Sequence, residues 1–305
     1  MIPTFLILLL VVVGMIRLIP GNAVDLMLTS QSGDRDVSRL AVEHRLGIDR
    51  PVTVQYLSYA AGVLHGDLGR SLWTQRPVSE MIAGRAPATV EMVGLAVVVS
   101  MLISIPIGII SALRQDTPMD YALRSAVILG LSVPSFALAT MALIFPALWF
   151  HWTPPLEYKP LTVDPLSNLG QMVLPALILG VGLSATIVRL MRAMMLEVLR
   201  QDYIRTAWSK GLRERSVVVE HALKNALIPV ITLFGIQVAF LLSGSVVMEQ
   251  IFAVPGVGRL LIDAISQRDY PVVQGVTVTV GIAVMAINLL VDLSYGFLDP
   301  RIRVH

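Results

Sequence analysis

Apolar residues along this chain come in long unbroken runs rather than in strict alternation or a narrow helical stripe. A membrane-crossing helix needs roughly 20 apolar residues at 1.5 Å rise each. Six windows meet that need: Ile2–Ile19, Met92–Leu113, Ala126–Phe150, Met172–Val188, Ala226–Met248 and Val272–Val291. The fourth is short, and Gln274 interrupts the last. The first window has neither a basic start nor a small-x-small site ahead of Pro20-Gly21, so it reads as an uncleaved span and not as a leader. The pattern predicts an all-α membrane protein with six transmembrane helices.

The polar stretch between the first two windows carries helical signals of its own. Asp49 followed by Pro51 marks a helix start, and Leu57, Ala60, Ala61 and Leu64 then form the expected inward stripe. Gly66-Asp67-Leu68-Gly69 ends it as a turn, and a second short helix is expected from Val78 to Ala83 after Pro77. The segments are thus a first span over 1–19, an external (periplasmic) helical cap over 20–87, a membrane core over 88–298 and a tail over 299–305. The cap can pack on the outer span ends, offer a docking face, or do both.

Composition narrows the class further. Only 14% of the 305 residues are charged, against about 25% in soluble domains. A net charge of +2 is too small to suggest nucleic acid as a partner. The absence of cysteine removes disulfides, thiolate metal sites and cysteine nucleophiles, and the five histidines are scattered with no pair at ligand spacing. No metal centre and no catalytic grouping is expected.

Lysine and arginine set the orientation. Segments 114–124, 189–224 and 301–303 hold twelve of them, whereas the opposite short loops hold three, Lys159, Arg259 and Arg268. The long 20–87 segment has seven arginines against seven acids and is too long to vote. Both termini are therefore expected in the cytoplasm.

Most inward charge lies in the loop 189–228, between the fourth and fifth windows. Two short helices are expected there. Asp202 can cap the first, and Gly211 can close it in the left-handed conformation. The second carries Val217, Val218, Ala222, Leu223, Ala226 and Leu227 on one side, with Glu220 and Lys224 paired at i,i+4 and Pro229 at the entry to the fifth span. Such a helix–Gly–helix knob either packs on its own bundle or fits a partner. Ala207, one turn before Gly211, is expected on the partner-facing side.

These residues resemble the membrane-spanning permease subunits of ABC importers, in the branch that handles dipeptides, oligopeptides and nickel. Thr206, Ala207 and Gly211 match that family's Glu-Ala-Ala-x-x-x-Gly coupling motif; Arg205 stands where the motif has Glu, and the spacing to Pro229 is longer. Strings similar to that branch recur in order: Leu18-Ile-Pro-Gly21, Leu64-His-Gly-Asp-Leu-Gly-Arg-Ser71, Ser132-Val-Pro-Ser-Phe136, His221-Ala-Leu-Lys-Asn-Ala-Leu227, Pro255-Gly-Val-Gly-Arg259 and Arg268-Asp-Tyr-Pro271. The resemblance implies the type I importer permease fold, in the bacterial cytoplasmic (inner) membrane. It implies a second homologous permease subunit, two ATPase subunits below and an external solute-binding protein above, with ATP and Mg bound by the ATPases and no cofactor in this chain. It implies that Asp202, Arg205, Thr206, Ala207, Lys210, Gly211 and Leu212 couple the span movements to the ATPases.

The remaining candidates keep two readings. Ser132 and Ser135 flank Pro134, where they re-satisfy carbonyls freed by the proline or line the translocation path. Gln237, Ser243 and Ser245 must face protein or a wet cavity. Pro255, Gly256, Gly258, Arg268 and Asp269 are the expected external gate or docking surface, or a rigid cap. Glu91 and Asp292 lie near span ends, where they reach the interface. No phosphate-cradling glycine loop precedes any of the lysines, 159, 210 and 224, so an ATP-driven engine must be another polypeptide. The reading is peptide import by alternating access; the alternatives are nickel, glutathione or another small solute on the same machinery and, more distantly, a secondary transporter, for which inverted repeats and midplane carboxylates are missing.

Overall fold

A computed structural model describes residues 2–18, 51–155 and 157–298. Asp49, most of the 20–87 segment ahead of Pro51, and the 299–305 tail lie outside the described residues. Those described are helical almost throughout: α1 Ile2–Leu18, α2 Val52–Leu64, α3 Val78–Leu113, α4 Pro118–Ser132, α5 Ser135–Phe150, α6 Pro165–Leu199 and α7 Asp202–Ser209. These are followed by α8 Glu214–Ile251, α9 Val257–Ser266 and α10 Tyr270–Leu298. Four of them, α3, α6, α8 and α10, are long and apolar enough to cross a membrane.

Three expectations are corrected. The short helix at Val78–Ala83 does not stand apart: it is the first part of a 36-residue α3 that continues through Pro87 and Pro106. Proline costs one backbone hydrogen bond there without ending the helix, which apolar surroundings tolerate when neighbours compensate. The third window is not one straight span. It breaks at Val133-Pro134 into α4 and α5, which are bent by 87°, because the residue ahead of a proline is pushed out of the helical region; Val133 sits at φ −100°, ψ 124°. Of the expected α2 stripe only Ala60 packs inward; Leu57, Ala61 and Leu64 face out. Tyr56, Tyr59, Ala60 and Val63 are the packed residues, while Leu57 and Leu64 are 65% and 75% exposed.

The chain divides into two compact units. The first comprises Met1–Pro87 and Gly256–Met285. In it α1 and α2 pack side by side, with Leu9, Val12 and Val278 fully buried. Gln274, the polar interruption in the last window, donates its Nε2 to the Val12 carbonyl at 3.3 Å. A second cluster joins Val78 and Ile82 to Val257, Leu260, Ala264, Val272, Val273 and Val276. Segment 66–77 is tied to the α9–α10 turn by Asp269, which accepts from the Ser71 hydroxyl at 2.5 Å and the Leu72 amide at 3.1 Å.

The second unit comprises Ala88–Pro255 and Ala286–His305. Two of its helices, α4 and α6, begin at side-chain caps. Thr117 precedes Pro118 and accepts the Asp120 amide, and Asp164 precedes Pro165 and accepts the Ser167 amide. That Ser167 amide, and then Lys159 at 3.2 Å, hold the Asp164 carboxyl below its ordinary range. One core lies around Met92, Met172 and Met248, the other around Met191, Met195, Ile204 and Val217. Helices approach closely where glycine permits: a Cβ on Gly180 would lie 2.7 Å from the Ala96 carbonyl and 2.6 Å from Val99.

Candidate functional site

The loop 189–228 forms a helical knob on the second core. α7 is amphipathic over eight residues: Ile204 and Ala207 are buried against Val217, Val218 and Ala222, while Asp202, Tyr203, Arg205, Thr206 and Trp208 face out. Ala207 is thus 5% exposed and belongs to the chain's own packing. The expectation that it faces a partner is corrected; the outward face is built from its polar and aromatic neighbours. Asp202 is not a side-chain cap either. Gln201 holds that position, and Asp202 pairs instead with Arg205 at 3.5 Å in the first turn. Both are highly exposed, so the pair contributes little stability.

Gly211 ends the helix at φ +73°, and its amide donates to the Trp208 carbonyl at 2.9 Å. Only glycine enters this region without steric cost. Lys210, Gly211 and Leu212 are all exposed. The stretch Val217–Leu223 then winds as a π-helix, burying Val217, Val218 and Ala222. Here the Glu220 carboxylate takes the Ser216 hydroxyl at 3.0 Å, in place of the expected pair with Lys224. Asn225 links the two helices by donating to the Tyr203 hydroxyl at 2.9 Å and the His221 carbonyl at 3.1 Å.

The polar residues of the membrane core fall into separate groups. Ser132 and Ser135 are exposed at the α4–α5 break, and Ser132 donates back to the Ile128 carbonyl at 3.0 Å. On α8, Ser243 is exposed and Gln237 half-buried. Ser245 is buried; it donates to the Leu242 carbonyl and lies 3.5 Å from Glu249. Asp269 is 3% exposed and holds the two bonds to segment 66–77, so its carboxylate is committed inside its own unit. Gly256 and Gly258 are buried at the start of α9; Pro255 and Arg268 are half-buried.

Three polar pairings were not drawn from the sequence. Asp120 is fully buried and receives Arg192 from Nε at 3.0 Å and Nη2 at 2.7 Å, with the Ser111 hydroxyl and the Asp116 amide completing it. Glu249 is also fully buried and accepts the Thr89 hydroxyl at 2.7 Å. It stands one residue past the apolar window ending at Met248, which is the signal that could have found it. Glu91 accepts the hydroxyl of Tyr158, from the α5–α6 loop, at 2.8 Å; burial, and then that carboxylate, push the Tyr158 phenol up to about 12.

Residues 104–304 match the family model of the binding-protein-dependent transport system inner membrane component. A protein of Brucella abortus described as a peptide transport system permease is 42% identical over 302 residues, covering 99% of this chain and 96% of the relative. The dipeptide transport system permease protein DppB of Escherichia coli K12 is 38% identical over 330 residues, again with 99% and 96% covered. Among solved structures, the MetNI methionine ABC transporter in an inward-facing conformation superposes with a TM-score of 0.58 at 17% identity, over 72% of this chain and 96% of that one. An amino acid ABC transporter gives 0.53 at 13% identity, over 70% and 92%. The backbone is therefore that of a type I ABC importer permease. With the fold and two near-full-length relatives in agreement, the chain belongs to the family of binding-protein-dependent transport system inner membrane components, as a multi-pass permease subunit and not an enzyme.

Proposed function

We propose that this permease carries di- or oligopeptides across the membrane by alternating access, driven by two ATPase subunits that seat on the α7 knob. The supporting observation is the knob itself: a short helix anchored by Ile204 and Ala207, closed at φ +73° by Gly211, and presenting Tyr203, Arg205, Thr206, Trp208 and Lys210 outward. Among the described residues that outward face meets α8 through the Tyr203 hydroxyl, which takes Asn225. Eight of the twelve lysines and arginines on the positive side lie in this loop, which favours a cytoplasmic position and both termini inside. A second homologous permease would complete the path, and an external solute-binding protein would deliver substrate. ATP with Mg would be held by the partner ATPases, whose approach on binding ATP would draw the two knobs together and open the cavity outward.

Peptide as cargo rests on the names of the relatives from Brucella and Escherichia coli. Ser132, Ser135, Gln237 and Ser243 remain path candidates. Pro255, Gly256, Gly258 and Arg268 remain candidates for the external gate, with Asp269 as an internal strut of that region. The test reconstitutes the permease pair with co-purified ATPases and a binding protein, and follows radiolabelled dipeptide uptake. Uptake that requires ATP and survives collapse of ion gradients is the expected result; uptake driven by an ion gradient alone would replace this mechanism with a secondary one.

A further inference from the structure

The run Val52–Leu64 contains no charged residue, although Arg50 precedes it and His65, Asp67 and Arg70 follow closely. In the structure this run is the whole of α2, and one face of it packs on α1 through Tyr56, Tyr59, Ala60 and Val63. The contact lies against Phe5, Leu8, Leu9 and Val12, and the Tyr56 hydroxyl donates to the Leu6 carbonyl at 3.3 Å. These are central residues of a 17-residue helix, which is about 25 Å long at 1.5 Å per residue. A helix packed beside them shares their depth and does not stand above it.

The other face of α2 is apolar as well. Val54, Leu57, Ala61 and Leu64 stand on one side at helical spacing and are exposed, with only Ser58 among them carrying a polar group. α1 presents the same kind of surface, with Leu6, Ile7, Leu10 and Val11 roughly half exposed or more. The Tyr59 hydroxyl is buried and meets no hydrogen-bond partner among the described residues. Backbone bonds cover the C-terminal end of α2 and begin its first turn, where no side chain caps it. The Val54 and Gln55 amides donate to the Pro51 carbonyl, and the His65, Gly66 and Asp67 amides take up the last carbonyls from Ala61 to Val63. Backbone groups in hydrocarbon must be satisfied internally in this way.

We propose that α2 is immersed in the bilayer alongside α1, with the Val54–Leu57–Ala61–Leu64 stripe against lipid acyl chains. At 13 residues, about 20 Å by the helical rise, it is too short to cross a core of roughly 30 Å. It enters and leaves on one side, so that the segment joining α1 to α3 dips into the membrane before α3 begins. Lipid is favoured over a protein partner because the stripe is of the same apolar kind as the exposed flank of α1, and no charged residue lies within α2 itself, Ser58 and Thr53 being its small polar groups there. The inference rests on the membrane placement of α1 that family membership implies.

The chain has no native cysteine, so single cysteines can be placed at Leu57, Ala61 and Leu64, with Leu10 and Arg70 as lipid and water references, in the assembled transporter in phosphatidylcholine–phosphatidylglycerol vesicles. Spin labels at the three α2 positions are expected to collide with dissolved oxygen as Leu10 does and to be shielded from a water-soluble nickel chelate that reaches Arg70. An impermeant maleimide should likewise lose its reaction at Leu64→Cys while reacting at Arg70→Cys. Nickel access at Leu57 and Leu64 would overturn the proposal in favour of a water-facing cap. Loss of both oxygen and nickel collisions would overturn it in favour of a protein cover, from the second permease or the binding protein. Nickel access at Leu10 would overturn the membrane placement of α1, and the proposal with it, leaving the transport test above unaffected.

Discussion

Arg192 grips Asp120 from two directions, Nε on one carboxylate oxygen at 3.0 Å and Nη2 on the other at 2.7 Å. The acid lies in the first turn of α4 and is fully buried; the guanidinium, on α6, is 19% exposed. The pair fixes the α3–α4 corner to α6 ten residues ahead of α7, so it positions the helix that feeds the knob. Breaking one side leaves a buried charge without its partner. Asp120→Asn or Arg192→Met is therefore expected to cost about 3 kcal/mol, the low end of the range for buried pairs because the arginine keeps some solvent. Arg192→Lys should fail nearly as badly, since an ammonium cannot make two parallel bonds. Heating the detergent-solubilised complex and measuring the surviving monodisperse fraction checks this; a double variant, Asp120→Leu with Arg192→Met, should recover part of the loss.

That pair also marks where sequence reasoning stops. Membrane class, helical content and the position of the knob were legible because long uncharged runs admit few other structures. The closing conformation of Gly211 followed from a glycine at the end of an amphipathic octet. Pairing of Asp120 with Arg192, 72 residues apart, has no local signature. Apart from Ala60 the inward face of α2 was misread for a different reason: its 13 residues carry no charge, so periodicity had no charged side to point away from. Ala207 was assigned outward by its place in the motif, yet its spacing from Ile204 puts both on the buried face. In the third window hydropathy runs straight through Val133-Pro134 and cannot register a bend of 87°.

Close helix approach makes a paired prediction. Gly180→Ala would push a methyl to 2.7 Å from the Ala96 backbone carbonyl, which cannot rotate away. A cost of about 1–3 kcal/mol is expected for overpacking. Gly182→Ala, two residues on, meets nothing within 4 Å, and should be neutral or gain up to about 1 kcal/mol from helix propensity. The same thermal assay separates them, and equal behaviour of the two variants would mean that α3 and α6 are not in the described contact.

Orientation is tested without disturbing any packed residue. Arg76 and Ser209 are both exposed, the first ahead of α3 and the second on α7. Arg76→Cys is expected to react with an impermeant maleimide in intact cells, and Ser209→Cys only after the membrane is opened. Reaction of both in intact cells would contradict the charge-based orientation.

Gly211 carries the most direct test of coupling. At φ +73° a β-branched side chain is strained by roughly 1–2 kcal/mol, although no atom lies within 4 Å of where its Cβ would be. The penalty therefore falls on the path of the chain and not on the packing of α7. Gly211→Val is expected to leave the spans inserted while turning the exposed Tyr203–Lys210 face away from its seat, with loss of ATPase association and of substrate-stimulated hydrolysis. Gly211→Asn, which accepts the left-handed region more readily, should retain most of both. Trp208→Ala removes an exposed ring, 44% accessible, without touching the buried side; it should weaken ATPase association while leaving thermal stability unchanged. Co-purification and hydrolysis measured on the three variants decide the matter. Wild-type association in Gly211→Val and Trp208→Ala alike would make this knob a solvated connector and move the ATPase seat elsewhere.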